Sequence, residues 1–187
     1  MYNLEVRRPN AKDRDELHVF FRTVITDTYA KEGLLELMDD IENEIETKKR
    51  YLQSDFDSNG KNRYFLLAIN KAYDKIIGTI EIGPASTVIN SCTGGVLKDL
   101  YEIGTVFVLP EYQRKGIGSL LLNAMLFTLL GKGIMEFCLD SGYKNAQKIW
   151  QSKFGEPNYL LKDYWSKSNH HMIWRKSIRD LSISFKS

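Results

Sequence analysis

Val106-Phe107-Val108-Leu109-Pro110-Glu111-Tyr112-Gln113-Arg114-Lys115-Gly116-Ile117-Gly118-Ser119-Leu120-Leu121-Leu122 contains the transition that decides the fold. An apolar strand stops at Pro110, a short basic turn follows, and a helix opens on two glycines. A helix start presents backbone N–H groups that have no intrahelical partner, together with the positive end of the macrodipole. Gly116 and Gly118 lack side chains, so an anion can come close to the main chain, and Arg114 and Lys115 add charge at the rim. The segment therefore reads as an anion site, most simply for a pyrophosphate.

Other phosphate-binding patterns fit poorly. A Walker A loop needs Gly-Lys-Ser/Thr after a longer glycine loop, and that triplet is absent. A dinucleotide fingerprint needs a third glycine where Leu121 stands.

Working outward, Leu4 to Arg8 forms a short strand, and Asn10 caps a helix with Asp13, Asp15 and Glu16 in its first turn. Leu17, Phe20, Phe21, Val24 and Thr28 share a face of that helix. A second helix is expected from Leu34 to Leu52, with Leu34, Met38, Ile41 and Ile45 in phase, and Asp55 to Lys61 reads as turn chemistry. Arg63–Ile69 and Lys75–Ile82 make an antiparallel hairpin. Gly83 to Leu97 is expected as a loop, Leu100–Leu109 as a strand and Gly116–Leu130 as a helix. Ile134–Leu139 follows as a buried strand, Asn145–Phe154 as a short helix, and Asn158–Tyr164 and His170–Lys176 as closing strands. The order β-α-α-β-β-β-α-β-α-β-β predicts an α/β (α+β) fold: a central mixed, mostly antiparallel sheet of about seven strands with helices on both faces. One domain over 1–187 is expected, its core at about 4–178 and a frayed tail at 179–187.

With 43% hydrophobic and 27% charged residues, the 187-residue chain has the balance of an ordinary globular domain. A net charge of +2, with scattered basic residues, argues against a nucleic-acid binder. The N-terminus lacks the pattern of a secretory signal, and the apolar run Leu120–Leu130 is too short to span a bilayer, so a cytoplasmic protein without a membrane partner is expected. Cys92 and Cys138 read as reduced thiols. His170 and His171 are strand neighbours pointing to opposite faces, which argues against a shared metal.

Gln113-Arg114-Lys115-Gly116-Ile117-Gly118 resembles the Gln/Arg-x-x-Gly-x-Gly/Ala acetyl-CoA signature of the GNAT N-acetyltransferase superfamily, with Val-x-Val-x-Pro as its lead-in. The similarity covers about Leu4 to Ile178, because the element order matches as well. The resemblance implies acetyl-CoA as co-substrate, held at the pyrophosphate by the segment Arg114, Lys115, Gly116, Ile117, Gly118 and Ser119 behind Gln113. It implies that the backbone of Phe107 and Val108 bonds the pantetheine arm as an added strand would. The acceptor would be a primary amine on a small molecule or a peptide. Homodimers are common in the family.

An alkyl amine with a pKa of about 10.4 is mostly protonated at neutral pH, so acetyl transfer needs a group that takes its proton. Glu102, on the strand leading into the signature, is the first candidate for that base by resemblance, and Glu81 on the neighbouring strand is the second. The family's leaving-group acid is a tyrosine in Asn-x-x-Ala-x-x-x-Tyr-x-x-x-Gly-Phe. Aligned on Gly155, this chain has Lys144, Gln147 and Gln151 at the first three positions of that pattern and Glu156 at the last. Tyr143 is a weak substitute acid, as are Tyr159 and Tyr164. A cysteine acyl-enzyme is disfavoured, because Cys92 lacks a basic neighbour and Cys138 reads as buried. The run Glu36, Asp39, Asp40, Glu42, Glu44, Glu46 is an acidic wall that would favour a cationic acceptor, or else a solvated face balanced by Lys48, Lys49 and Arg50. The competing reading is a coenzyme-A-binding module with a sensing or scaffolding role and no catalysis.

Overall fold

The computed structural model describes residues 3–183. Seven strands form one mixed sheet in the order β1-β2-β3-β4-β5-β7-β6. The strands are β1 (Leu4–Arg7), β2 (Tyr64–Asn70), β3 (Lys75–Pro84), β4 (Tyr101–Val108), β5 (Glu136–Ser141), β6 (Tyr159–Ser166) and β7 (Asn169–Ser177). Among the described residues five α-helices interrupt them: α1 (Arg14–Glu32), α2 (Met38–Ser58), α3 (Thr87–Cys92), α4 (Ile117–Gly131) and α5 (Lys144–Phe154). The expected order is observed, with α3 added. Contacts group the described residues into two compact units, one of 3–82, 105–128 and 183, the other of 83–104 and 129–182.

In the first unit β1, β2 and β3 pair antiparallel. Asn10 opens the chain's first helical turn with a reciprocal cap: its side chain accepts from the Lys12 amide and its own amide donates to Asp13. Two faces of the sheet are then covered. Phe65 on β2 lies opposite Glu81 on β3, and Phe21 of α1 meets Phe65 at 6.4 Å between ring centroids. Gly78 is three residues from Glu81, and strand alternation puts it on the other face. There a β-carbon would come within 2.9 Å of Leu121 Cδ1, 3.1 Å of Ile117 Cγ2 and 3.2 Å of the Phe107 carbonyl oxygen. Gly78 thus admits the first turns of α4 close to the sheet.

Two sequence expectations are corrected in this unit. The second helix starts at Met38 and runs through the expected turn to Ser58, where Asn59 caps it in the left-handed region. Leu34 therefore precedes the helix, and Met38 is exposed. Asp55 drives the extension: fully buried, it accepts from Arg8 Nη2 at 2.7 Å and from the Phe65 amide at 2.8 Å. Tertiary partners outweigh the turn propensity of Asp-Ser-Asn-Gly.

In the second unit β5 pairs antiparallel with β7, and β7 with β6. β4 enters it in parallel with β5 through Tyr101 with Phe137 and Glu102 with Cys138. The expected loop after β3 contains α3, opened by a Ser86 side chain that accepts from the Ile89 amide. Ile89, Leu97, Ala85, Cys138 and Ile173 make one buried cluster. The other face holds Phe137 against Phe154 of α5 and Trp174, whose indole N–H donates to the Gly155 carbonyl at 2.9 Å. Ile178–Asp180 forms a 3₁₀ turn with Ile178 buried; residues 184–187 of the tail expected to fray lie outside the described residues.

Gly78→Ala is expected to destabilise the fold by about 1–3 kcal/mol through overpacking, because the Phe107 carbonyl cannot step aside as a side chain can. Urea unfolding should show a lower midpoint at an unchanged slope; an unaltered midpoint would mean that α4 has slack above β3.

Candidate active site

β4 is not a regular strand. Thr105 has φ 50°, in the left-handed region that a β-branched residue avoids. Its carbonyl accepts from the Thr79 hydroxyl at 2.9 Å, and its own hydroxyl lies 3.3 Å from Glu81 Oε1. Glu81 is buried and accepts from Arg63 Nη1 with both oxygens, at 3.0 and 2.8 Å. Burial pushes the Glu81 carboxyl above its ordinary range, while Arg63 and Lys48 oppose that rise. The Arg63 guanidinium lies 3.3 Å from the centroid of the Tyr51 ring, stacked on α2.

Beyond the distortion β4 runs through Phe107 and ends at Val108; the Leu109 amide that follows donates to the Ile77 carbonyl at 3.0 Å. Pro110–Tyr112 is a 3₁₀ turn. Gln113 then holds the turn in place: its side-chain amide donates to the Val108 carbonyl at 3.1 Å, and its oxygen accepts from Lys31 Nζ at 3.0 Å. Arg114 (φ 60°) and Gly116 (φ 84°) both adopt left-handed backbone immediately before α4. That geometry turns successive N–H groups into a concave nest for an anion. The 15-residue α4 adds its N-terminal amides and dipole. A β-carbon on Gly118 would meet nothing nearer than Val108 Cγ2 at 3.9 Å, so the loop passes the end of β4 without filling the space over it. The signature's glycines thus serve conformation and access. The donor set of this nest fits a diphosphate, since nearly all of it is main chain.

The other expected residues sit as follows. Glu102 on β4 is half-buried, and its Oε2 accepts the Ser86 amide at 2.6 Å, which ties the carboxylate to the start of α3. Tyr143 is the N-cap residue of α5; its amide donates to Ser141 Oγ at 3.1 Å. Gln151, in the slot of the family tyrosine, reaches Glu156 at 3.5 Å. Tyr164, one of the substitute acids, is exposed, and its hydrogen bond with Cys92 raises its pKa. Tyr159 packs beside the α3 cluster. His171 is buried between Asp140 (3.1 Å) and the Trp165 indole (3.2 Å), whereas His170 accepts from the Asp163 amide. The acidic wall on α2 is partly neutralised, Glu42 by Arg22 in a two-bond pair and Glu46 by Lys49 at 2.7 Å.

Sequence reading missed Arg63, Tyr51, Thr79 and Lys48 around Glu81. Lys48 carries the one legible signal among them, because it follows Ile41 and Ile45 in the helical phase that leads to Leu52.

A sequence model of the Acetyltransferase (GNAT) family matches residues 31–155, and the chain belongs to that family. Acetyl-CoA is accordingly its co-substrate. No curated protein matches the sequence. Among solved structures, a GNAT-family acetyltransferase from Desulfovibrio desulfuricans aligns over 94% of this chain and 99% of its own, with TM-score 0.69 and 13% identity. The PaiA N-acetyltransferase of Thermoplasma acidophilum, solved with coenzyme A, aligns over 93% and 99%, with TM-score 0.63 and 20% identity. The acetyltransferase YncA of Salmonella typhimurium, solved with acetyl-CoA, aligns over 99% of both chains, with TM-score 0.67 and 13% identity. At these identities the likeness is one of fold. Among the described residues no helix is long and apolar enough to cross a membrane.

Burial pushes the Cys138 thiol up to about 12. At pH 8 roughly one Cys138 in ten thousand would be thiolate, and thiolate is the reactive form. In the folded protein, thiol reagents should modify half-buried Cys92 and spare Cys138. Mass spectrometry after a short exposure would show this, and equal labelling of both would contradict it.

Proposed function

We propose that the chain is an N-acetyltransferase that moves the acetyl group of acetyl-CoA to a primary amine of a small molecule or a peptide. The observation that carries this reading is the nest formed by Arg114 and Gly116 at the opening of α4, directly after a distorted β4. The amides of Arg114, Lys115, Gly116, Ile117, Gly118 and Ser119 hold the pyrophosphate, and the main chain of Phe107 and Val108 takes the pantetheine amides. Gln113 keeps the loop docked on β4.

In the reaction the amine nitrogen attacks the thioester carbonyl carbon, the C–S bond breaks, and coenzyme A leaves as thiolate. The proton lost by nitrogen goes to Glu102, directly or through water. Glu102 takes this role in preference to Glu81, because both Glu81 oxygens are held by Arg63 in a buried ion pair. The Ser86 amide orients the Glu102 carboxylate. Tyr143 is the candidate that returns a proton to sulfur, although a thiolate with a pKa of about 8.5 leaves without strict need of one. We assign both compact units to one catalytic domain that works in the cytoplasm.

Thiol release from acetyl-CoA with an amine panel is the direct test, with turnover expected for at least one primary amine. Glu102→Gln should lower that rate by about 10²–10⁴-fold and leave coenzyme affinity in place; equal turnover removes Glu102 from the base role. Saturating coenzyme should move the amide resonances of residues 114–119. Coenzyme binding with no thiol release from any amine would establish the non-catalytic coenzyme-binding module instead.

A further inference from the structure

The core-facing stripe of α2 is not all apolar. Ile41, Ile45 and Leu52 are buried on it, and Lys48 and Asp55 occupy the same stripe at helical spacing. Asp55 is fully matched there by Arg8 and the Phe65 amide. Lys48 is matched differently. Its ammonium stands 5.3 Å above the Tyr51 ring and 5.7 Å above the Phe107 ring, and among the described residues no carboxylate lies within ion-pairing distance of it. The nearby carboxylate, Glu81, is taken by Arg63 through both oxygens. Two cations thus share one anion, and the cluster keeps a net charge of about +1 beside two aromatic faces. Phe107 belongs to the stretch of β4 assigned above to the pantetheine arm, so the surplus charge lies next to where the thioester would be delivered.

A half-buried ammonium that forgoes water for ring faces is held by them more weakly than an anion would hold it in the same low-dielectric setting. The geometry points to an acceptor subsite for a carboxylate: Lys48 supplies the charge, Tyr51 and Phe107 form the walls, and Arg63 stacks on the same ring. The acceptor is then an amine that also bears a carboxylate, an amino acid or a peptide end, and not a polycation. This deepens the proposed N-acetyltransferase reading and rests on it. It also reverses the preference that the acidic wall of α2 suggests, since Glu42 and Glu46 of that wall already hold Arg22 and Lys49.

The test uses amino acids whose amine and carboxylate are one to four carbons apart, each paired with its carboxamide, and spermidine as the polycation. Thiol release is measured for each, and binding of the same compounds to the coenzyme-A-loaded protein is measured by calorimetry. At least one amino acid should exceed its carboxamide in kcat/KM by about tenfold, the effect of one charge contact, mainly through KM. Lys48→Met should bring that ratio near one, and Lys48→Arg should restore most of it. Acids bound over carboxamides, with the bias lost in Lys48→Met but no thiol release, would uphold the subsite while overturning the N-acetyltransferase reading. Acids and carboxamides used equally, spermidine preferred, a ratio unmoved in Lys48→Met, or no binding of any amino acid would each overturn the subsite.

Discussion

A threonine does not hold a positive φ by itself. At Thr105 the backbone departure costs on the order of 1–3 kcal/mol and survives only where the surroundings over-determine it. Thr79 fixes its carbonyl, and Glu81 takes its hydroxyl. Glu81 is itself an expensive group to bury. Arg63 makes that burial tolerable, and Tyr51 fixes the plane of Arg63 in turn. Each step of the chain from Tyr51 to Thr105 needs the next, because removing any partner leaves a desolvated charge or a strained residue. The distorted β4 is therefore anchored by side chains drawn from α2, the residue before β2, and β3, elements far apart in sequence.

The loop beyond β4 takes its position from the point at which this strand ends. Pro110 stops it, Gln113 clamps the turn to the Val108 carbonyl, and the left-handed residues 114 and 116 turn the main chain toward the opening of α4. Main-chain donors suit a diphosphate, whose many oxygens need several short contacts from one side. On the proposed assignment they would also leave side chains out of the coenzyme's recognition, so that neighbouring positions on α2, β2 and β3 could set the acceptor. Gly78 contributes from beneath, because any side chain there would push α4 off the sheet and move the nest with it.

The strand, turn and helix opening around residues 106–122 were legible because their signals are local: proline, glycine spacing and an apolar strand sit within one short segment. The sheet and most helices followed from periodicity for the same reason. The α2 terminus was not legible, since Asp55-Phe-Asp-Ser-Asn-Gly60 carries turn chemistry and only the distant Arg8 and Phe65 make a helical Asp55 worthwhile. Helix α3 is one short segment within Gly83–Leu97, and its cap at Ser86 depends on Glu102 for its amide. Glu81 and Glu102 look alike in sequence; Arg63, eighteen residues before Glu81, locks that carboxylate in an ion pair, whereas Glu102 accepts the Ser86 amide. Gly78 inside a strand signals a close approach without naming what approaches.

The electrostatics of α2 show why composition misleads here. Read as a list, its first half is acidic and a basic run, Lys48-Lys49-Arg50, follows, which suggests one wall of each sign. Wrapped at 3.6 residues per turn, Glu42 and Glu46 lie with their partners Arg22 and Lys49, while Lys48 falls on the inner stripe between Ile45 and Leu52. Outside, water and counter-ions screen the acids, and exposed pairs contribute little. Inside, between aromatic rings and beside a carboxylate already committed to Arg63, a single ammonium acts through a lower dielectric and over a short distance. In the subsite proposed above, that one inward lysine would set the sign of the field more than the acids that outnumber it along the helix.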